Sequence, residues 1–383
     1  MKVIFLSCLL LIGSALLFWG CSSVSGHNLG NPAQDDDSGE DISDDDEADD
    51  DDISGDDDID DDTTIDDDMD DDTGTIPADS NWHQITGNHP ENMSRQGMVY
   101  DSIRKEIVLF GGGATVPYDY TFTFSDLLWI QKYTNTHPTI RFSPMMTENP
   151  NRSVIFLFGG LGPIGSSNFL NDAWEWNGSK WSKINTTNSP SKRADAVIGY
   201  CQADEKIYLF GGCNGSNCST QLNDTWEYDS ATSIWTQLTL DPSPSPRSGA
   251  AFFYDSTENV FILFGGVTNA SPLQLTNESW SFDCNAWLLL DPNNSPPAMA
   301  YAGAAYDSLK QKALIFSGFD GAQELDDTWL WDGATWTNLP TSNSPPARQE
   351  TGMAFNTSED LFVLFGGKSQ ENFFGDTWVL KLE

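Results

Sequence analysis

Short apolar runs recur along this 383-residue chain at a nearly constant interval, and each ends in Gly-Gly or Ser-Gly. The first residues of these pairs are 48, 52, 54, 52 and 49 positions apart. A repeat of about 50 residues that cannot bury its apolar face alone indicates a repeat architecture. The runs are VLFGGG at 108–113, FLFGG at 156–160, YLFGG at 208–212, ILFGG at 262–266, LIFSG at 314–318 and VLFGG at 363–367.

Each repeat divides into four short stretches that favour β-strands. In the third repeat they are 193–200, Ile207–Phe210, the LNDTWEYD segment at 222–229, and a stretch with Trp235 and Leu238. They are rich in β-branched and aromatic residues and are bounded by Gly, Asn, Asp or Pro. The helical i, i+3, i+4 pattern is missing. Six repeats of four antiparallel strands predict an all-β, six-bladed propeller.

The two ends of the repeat region predict how the ring closes. The last repeat stops after WVLKL at 378–382 without a fourth strand, whereas WHQI at 82–85 precedes the first repeat. We therefore expect the N-terminal strand to complete the last blade.

The first repeat is irregular, since only 12 residues separate Trp129 from Arg141, and we expect its outer strand to be shortened or lost. The Trp that follows each apolar run is Trp129, Trp174, Trp226, Trp280, Trp329 or Trp378.

These motifs together resemble the kelch family of β-propellers, the fold of the central domain of galactose oxidase-like proteins. The resemblance covers 82–383 and rests on the Phe-Gly-Gly runs, the N-D-x-W stretches at 171–176 and 223–228 with DDTWLW at 326–331, and the Trp strands. Family members include binding modules, copper radical oxidases and periplasmic proteins that isomerise sialic acid. Fold alone does not select among these activities.

The first 80 residues differ in composition from the repeats. Lys2, an apolar stretch from 3 to 19 and Gly20-Cys21 resemble a bacterial lipoprotein signal, in which Cys21 would carry the lipid. Phe18 and Trp19 depart from that pattern, so ordinary cleavage or an uncleaved anchor stays open. We expect a signal and anchor at 1–21, a linker at 22–80 and the propeller at 81–383, in an exported protein of the outer membrane or cell surface.

The linker is extremely acidic. Positions 35–72 contain 25 Asp or Glu and no Lys or Arg, and they supply most of the formal net charge of −40. Such a segment cannot bury enough apolar area to fold, so we expect a disordered stalk. Its carboxylates could bind Ca²⁺ weakly, although no regular calcium loop is present. The overall acidity disfavours nucleic acid as a partner.

An exported chain allows disulfides. Cys213 and Cys218 share one short loop, which favours a disulfide over zinc because no histidine lies near them. Cys201 and Cys284 fall at strand ends of neighbouring blades, and they could be either bridged or buried as free thiols.

Arginines recur near the start of the innermost strand. Counting back 18 residues from each Gly-Gly (16 in the first repeat) gives Arg95, Arg141, Arg193, Arg247, Met299 and Arg348. One interpretation is a ring of arginines at the channel mouth that binds an anion, and in some kelch propellers arginines at matching positions contact acidic peptides or sugar acids. The other is an ion pair with the carboxylate two residues before each repeat Trp. These are Asp172, Asp224, Glu278, Asp327 and Asp376. In the first repeat the carboxylate is Asp126, which lies three residues before Trp129 instead of two.

Aromatic residues in the loops after Gly-Gly could stack on a sugar, contact a protein or simply anchor the loops. They are Tyr118, Tyr120, Phe122, Phe169, Phe373 and Phe374.

Catalytic patterns are sparse. His27, His83, His89 and His137 do not fall where the copper ligands of the radical oxidases would lie, and no cofactor or metal motif is recognised. We expect a non-catalytic, monomeric binding module with a protein or carbohydrate ligand at the arginine face. The alternative is an envelope enzyme acting on a sugar acid, like the sialic acid mutarotases, or a degenerate galactose oxidase-like protein.

Overall fold

The computed structural model describes residues 76–163 and 168–383, and these residues form a closed six-bladed propeller. The predicted signal peptide, Cys21 and nearly all of the acidic linker lie outside the described residues. Two one-turn 3₁₀ segments, Pro150–Arg152 and Ser216–Cys218, are the helical elements of the described part. No described helix has the length and apolar character that a membrane crossing requires.

Every blade is a four-stranded antiparallel sheet whose strands are numbered from the channel outwards. Blade 1 contains Ser94–Asp101, Glu106–Gly113, Thr121–Ser125 and Leu128–Lys132. Blade 2 contains Met145–Asn149, Val154–Leu161, Phe169–Trp176 and Trp181–Ile184. Blade 3 contains Val197–Cys201, Lys206–Phe210, Thr225–Asp229 and Ile234–Leu238.

The remaining blades repeat this order. Blade 4 contains Ala251–Asp255, Val260–Phe264, Ser279–Phe282 and Trp287–Leu290. Blade 5 contains Gly303–Asp307, Lys312–Phe319, Glu324–Trp331 and Trp336–Asn338. Blade 6 contains Gly352–Asn356, Leu361–Phe365, Thr377–Leu380 and Trp82–Ile85. Two small hairpins extend the loops of blades 3 and 4: Cys213–Asn214 with Thr220–Gln221, and Val267–Ala270 with Leu273–Leu275.

The predicted ring closure is confirmed. The strand Trp82–Ile85 pairs antiparallel with Thr377–Leu380, with Trp82 opposite Leu380 and Ile85 opposite Thr377. Ser80 continues this contact by donating its backbone N–H to the carbonyl of Lys381. Because both ends of the repeat region share one sheet, blade 6 has four strands like the other five blades and the ring is closed.

The expected loss of the outer strand of blade 1 is wrong. Leu128–Lys132 forms a complete fourth strand, and Trp129 belongs to it rather than to the third strand. Asp126 and Leu127, both with positive φ, form a two-residue hairpin turn, whereas blade 2 uses four residues between the same strands. The spacing of 12 residues from Trp129 to Arg141 is therefore the usual one for a fourth strand, since Trp181, Trp235, Trp287 and Trp336 also lie 12 residues before the position equivalent to Arg141. Phe122, paired with Leu109, takes the place of the repeat Trp in the third strand.

Each pair of neighbouring blades meets through a buried Trp and a buried Phe. The Trp of every fourth strand packs on the Phe of the preceding blade's second strand, with ring centroids 4.9–5.3 Å apart. Such aromatic pairs add stability beyond the area that they bury. The pairs are Trp82–Phe316, Trp129–Phe365, Trp181–Phe110, Trp235–Phe158, Trp287–Phe210 and Trp336–Phe264.

Candidate ligand site at the channel mouth

Four arginines lie between the blades, and their side chains are at most 1% exposed. Each donates to an acidic side chain of its own repeat and, through Nη1, to the carbonyl of a glycine 18 residues later. A guanidinium held in this way has its donors satisfied, so burial costs little net free energy. The ion pairs are Arg141–Asp172 at 2.8 Å, Arg193–Asp224 at 2.6 Å, Arg247–Glu278 at 2.5 Å and Arg348–Asp376 at 2.6 Å.

The carboxylates of these pairs also fix the repeat tryptophans. Asp224 accepts the indole N–H of Trp226 at 2.6 Å, and the equivalent bonds recur in the other three pairs. Burial by itself raises the pKa of Asp224, but the hydrogen bonds and charge of Arg193 outweigh it, so the pKa lies below its usual value. The pKa values of the other three carboxyls are lowered for the same reasons.

The predicted ring of ligand-binding arginines is therefore corrected. Arg141, Arg193, Arg247 and Arg348 are consumed by structural ion pairs and are not accessible to a ligand in this structure. The sixth equivalent of this position is Met93, whose carbonyl accepts Gly367 N–H as the other five accept theirs. Met93 lies 18 residues before Gly111, so keeping the same spacing in the first repeat would have found it.

Blade 5 lacks the arginine and has no ion pair of this kind. Met299 occupies the position, Asp327 is exposed, and the buried indole nitrogen of Trp329 has no hydrogen-bond partner among the described residues. The Asp126 carboxylate is likewise not part of such a pair. Asp126 lies instead in the blade 1 turn, where its backbone N–H donates to the carboxylate of Glu359.

Arg95 lies two residues beyond this position, in a second sixfold set at the channel mouth. These six residues have φ between 48° and 63°. Five backbone hydrogen bonds of 2.6–3.0 Å run around this ring in the described residues, each from the N–H of one member to the carbonyl of its neighbour. A non-glycine residue with positive φ is strained and persists where its surroundings hold it. The members are Arg95, Ser143, Asp195, Gly249, Tyr301 and Glu350.

The side chains of this ring line a cavity of ≈160 Å³ at the channel mouth. Arg95 donates Nη2 to Asp195 at 2.6 Å and Nε to Ser143 at 2.9 Å, and its Nε is 4.0 Å from Glu350. Lys368 pairs with Glu350 at 3.1 Å. Two cations therefore balance two carboxylates, so the mouth is amphoteric rather than the positively charged ring that was expected.

Burial and charge tune the groups of this cluster. Burial raises the pKa of Glu350, but Lys368, Arg95 and the hydroxyl of Ser94 together lower it below its usual value. Burial, followed by the charge of Asp195, raises the pKa of Tyr301 well above that of free tyrosine. The site thus presents the carboxyl groups of Asp195 and Glu350, the guanidinium of Arg95, the amino group of Lys368 and the phenol of Tyr301, which suit a ligand rich in hydroxyl or mixed polar groups.

The loop aromatics lie beside this cavity and are not among its lining residues. Tyr118 and Tyr120 form a half-buried stacked pair with centroids 5.0 Å apart. Phe169 is buried against Ala194, and the ring of Phe374 lies under the Arg348 guanidinium at 4.0 Å. These contacts within the chain are those expected of loop anchors, and binding of a sugar or a protein by these rings stays a prediction.

Both candidate disulfides are formed in the structure. Cys213–Cys218 closes the short loop beside the channel mouth, and each Sγ is 3.7 Å from Asp195 Oδ2. Cys201–Cys284 links blades 3 and 4. The described histidines lie elsewhere: His83 contacts Asp79 at 3.1 Å, His137 lies 3.5 Å from Asp119, and His89 contacts the carbonyl of Pro90.

Sequence and structure comparisons agree on the class of protein. The KLHDC2/KLHL20/DRC7 Kelch-repeats domain matches 66–243 and 201–383. The chain therefore belongs to the kelch-repeat family, and its resemblance to kelch propellers is confirmed.

Several curated proteins are similar over part of the chain. Tip elongation aberrant protein 1 of Schizosaccharomyces pombe is 32% identical over 37% of this chain and 12% of its own length. Mei4-dependent protein 6 of the same yeast is 27% identical over 33% of the chain and 19% of its length. Kelch domain-containing protein 1 of Mus musculus is 30% identical over 29% of this chain and 27% of its own length. The match thus spans about a quarter or less of each relative.

Among solved structures, the structure of YjhT superposes with a TM-score of 0.61. It is 16% identical in sequence, and the match covers 78% of this chain and 97% of that chain. At this identity the likeness establishes the propeller fold, and it leaves ligand and activity to be argued from the site itself.

Proposed function

We propose that this chain is a cell-envelope lipoprotein whose propeller binds a protein or carbohydrate ligand at the channel mouth. The kelch-repeat propeller is consistent with an interaction module. The observation that carries the proposal is the cluster of Arg95, Asp195, Tyr301 and Glu350 around one cavity, with Lys368 paired to Glu350. The four buried arginine pairs each lie within one repeat, whereas Arg95 and Asp195 come from blades 1 and 3 and meet across the channel.

The cluster is also preorganised. The left-handed backbone ring fixes where each side chain begins, and the ion pairs fix where Arg95 and Glu350 point. Preorganised polar groups lose little entropy on binding, which favours affinity. A carboxylated or polyhydroxylated sugar would pair with Arg95 and Lys368 while its hydroxyls donate to Asp195 and Glu350.

A sugar-acid panel tests this binding. N-acetylneuraminate, glucuronate and galactose would be titrated into the chain by calorimetry, with Arg95→Gln as the test variant. Arg152→Gln is the matched control, because Arg152 is exposed on a different surface and pairs with Glu175. We expect saturable binding in the wild type and in the control, and loss in Arg95→Gln. Equal binding by both variants would remove the mouth from the proposal.

A protein ligand is tested separately. The chain is immobilised and exposed to envelope extract, and bound proteins are compared between wild type, Arg95→Gln and Arg152→Gln. A partner retained by wild type and control but not by Arg95→Gln places it at the channel mouth. Retention by all three places it elsewhere.

An enzyme acting on a sugar acid is the second candidate. The observation that favours it is Asp195 beside Arg95 with the neutral phenol of Tyr301 in the same cavity, a combination of a base, a cation and an acid. Proton NMR of freshly dissolved N-acetylneuraminate would show faster anomer exchange with the wild type than with Asp195→Asn. An unchanged exchange rate excludes this activity for that substrate.

A further inference from the structure

The opposite end of the channel has a lining of a different kind. The next-to-last residue of each first strand lies there, opposite the start of the second strand. All six of these residues line one cavity of ≈350 Å³, within the size range of small-molecule sites. They are Tyr100, Glu148, Tyr200, Tyr254, Tyr306 and Phe355.

We call these six residues the tyrosine mouth. Two of its tyrosine rings are held in place by phenylalanine rings behind them. Tyr306 stacks on Phe253 with ring planes 7° apart, and Tyr254 packs on Phe261 with centroids 4.8 Å apart. The hydroxyl of Tyr306 donates to Asp255 at 2.7 Å. Fixed aromatic rings offer electron-rich faces, which attract cations more than anions.

One member of the set carries a charge. Glu148 accepts hydrogen bonds from the backbone N–H and the hydroxyl of Ser102, at 2.8 and 2.6 Å, and forms none of the ion pairs in the described part of the chain. Burial raises its pKa above the usual value, which indicates that its negative charge is poorly compensated. A bound cation would relieve this cost.

The nearby charges leave this mouth negative. Arg104, Arg152 and Lys310, in the turns around it, are each paired with a carboxylate at 2.6–3.0 Å. Asp204 and Glu205 lie close enough that their charges, after burial, raise the pKa of Tyr200. Farther up the channel the wall is apolar, with Met98, Met146 and Met353.

We propose that the tyrosine mouth binds a small organic cation, with its alkylated ammonium group among the tyrosine rings beside Glu148. The apolar part of the ligand extends along the methionines. This site is independent of the ligand proposed for the Arg95 mouth, because none of the residues that line the Arg95 cavity belongs to the tyrosine mouth.

Calorimetric titration of the full chain with choline tests the proposal. The neutral isostere 3,3-dimethyl-1-butanol has nearly the same shape without the charge, so it measures the apolar contribution alone. We expect choline to bind at least about tenfold more tightly than the alcohol, as a desolvated cation–π site implies. No choline binding at millimolar concentration, or equal affinities for the two compounds, would overturn the proposal.

Variants locate the site. Glu148→Gln should weaken choline binding about tenfold, whereas Glu371→Gln, an exposed glutamate in a loop at the other face, should leave it unchanged. Tyr254→Phe keeps the ring and should retain binding, and Tyr254→Leu removes the ring and should lose it. Melting temperatures confirm that each variant is folded. Equal effects of the two glutamate variants, or loss of binding in Tyr254→Phe, would contradict the assignment.

Discussion

Trp235 in blade 3 and Ala173 in blade 2 occupy paired positions at which the other five blade junctions form a hydrogen bond. At those junctions the indole N–H of the fourth-strand Trp donates to a Thr or Ser hydroxyl at 2.8–3.1 Å. Ala173 aligns with these hydroxyl residues, since it pairs with Phe158 as Thr225 pairs with Phe210. The buried nitrogen of Trp235 has no partner among the described residues.

Ala173→Ser is therefore expected to stabilise the protein. The new hydroxyl would accept the Trp235 N–H and raise the free energy of unfolding by about 1 kcal/mol. Urea denaturation measures the change.

Thr225→Ala, which removes the partner of Trp287 at 3.1 Å, is the reverse control and should lower stability by about 1–3 kcal/mol. A neutral or destabilising Ala173→Ser would show that the junction of blades 2 and 3 cannot accommodate the hydroxyl.

Arg193→Met should destabilise the propeller although methionine occupies the equivalent position in blades 1 and 5. The substitution leaves Asp224 partly buried without its guanidinium, which costs about 3–5 kcal/mol for a buried pair. Chemical denaturation measures the loss. The double variant Arg193→Met with Asp224→Asn should recover part of it, and a double variant as unstable as the single one would contradict this account.

The four buried ion pairs also predict acid sensitivity. The pKa values of Asp172, Asp224, Glu278 and Asp376 are lowered in the folded protein. Their stabilisation is therefore present above the unfolded pKa of about 4 and is lost as the pH falls through the folded values. The stability difference between wild type and Arg193→Met should shrink below about pH 4, as measured by urea midpoints. A constant difference would exclude the Asp224 pair as the source.

The two disulfides should contribute unequally. Cys201 and Cys284 are 83 residues apart, so breaking this bridge should cost about 4.5 kcal/mol in the chain-entropy account. Cys213 and Cys218 are separated by 5 residues, and their loss should cost about 2 kcal/mol. Melting curves of the two paired Cys→Ala variants make the comparison. Equal losses would indicate that native-state contacts, rather than loop length, determine the effect.

The lipid anchor is tested in the host cell. Metabolic labelling with an alkyne fatty acid should label the wild type and not Cys21→Ala, and the variant should move from the membrane fraction to the soluble fraction. Cys213→Ala with Cys218→Ala controls for general effects of removing cysteine and should stay labelled. An unlabelled wild type would remove lipidation from the proposed function.

Most of the fold was predictable because the propeller is built from local repeats. The Phe-Gly-Gly runs mark second strands that are buried in every blade, and the unpaired Trp82 strand indicated the closure. The prediction failed at Trp129, because a Trp looks the same in the third and fourth strands, and the two-residue turn at Asp126 and Leu127 had no Gly or Asn to mark it.

The candidate site was less predictable. The arginine pattern was real, but spacing does not reveal whether a guanidinium is buried in an ion pair or open to solvent. Arg95 was found for the wrong reason, since it belongs to the ring of Ser143, Asp195 and Tyr301 rather than to that of Arg193. Residues of that ring share a left-handed backbone and not a residue type, so only their constant spacing, 16 residues before each Gly-Gly or Ser-Gly pair, could have identified them.

By itself, the sequence determined the number of blades, the closure by Trp82–Ile85 and the packing of neighbouring blades through aromatic side chains. These features depend on periodic apolar side chains that must be buried. The tertiary structure alone decided which charged groups pair, that Arg95, Asp195 and Glu350 meet at one mouth, and that tyrosines gather at the other. The hydrogen bonds at the Arg95 mouth join residues from different blades, 48 to 256 positions apart, and depend on how the closed ring places them.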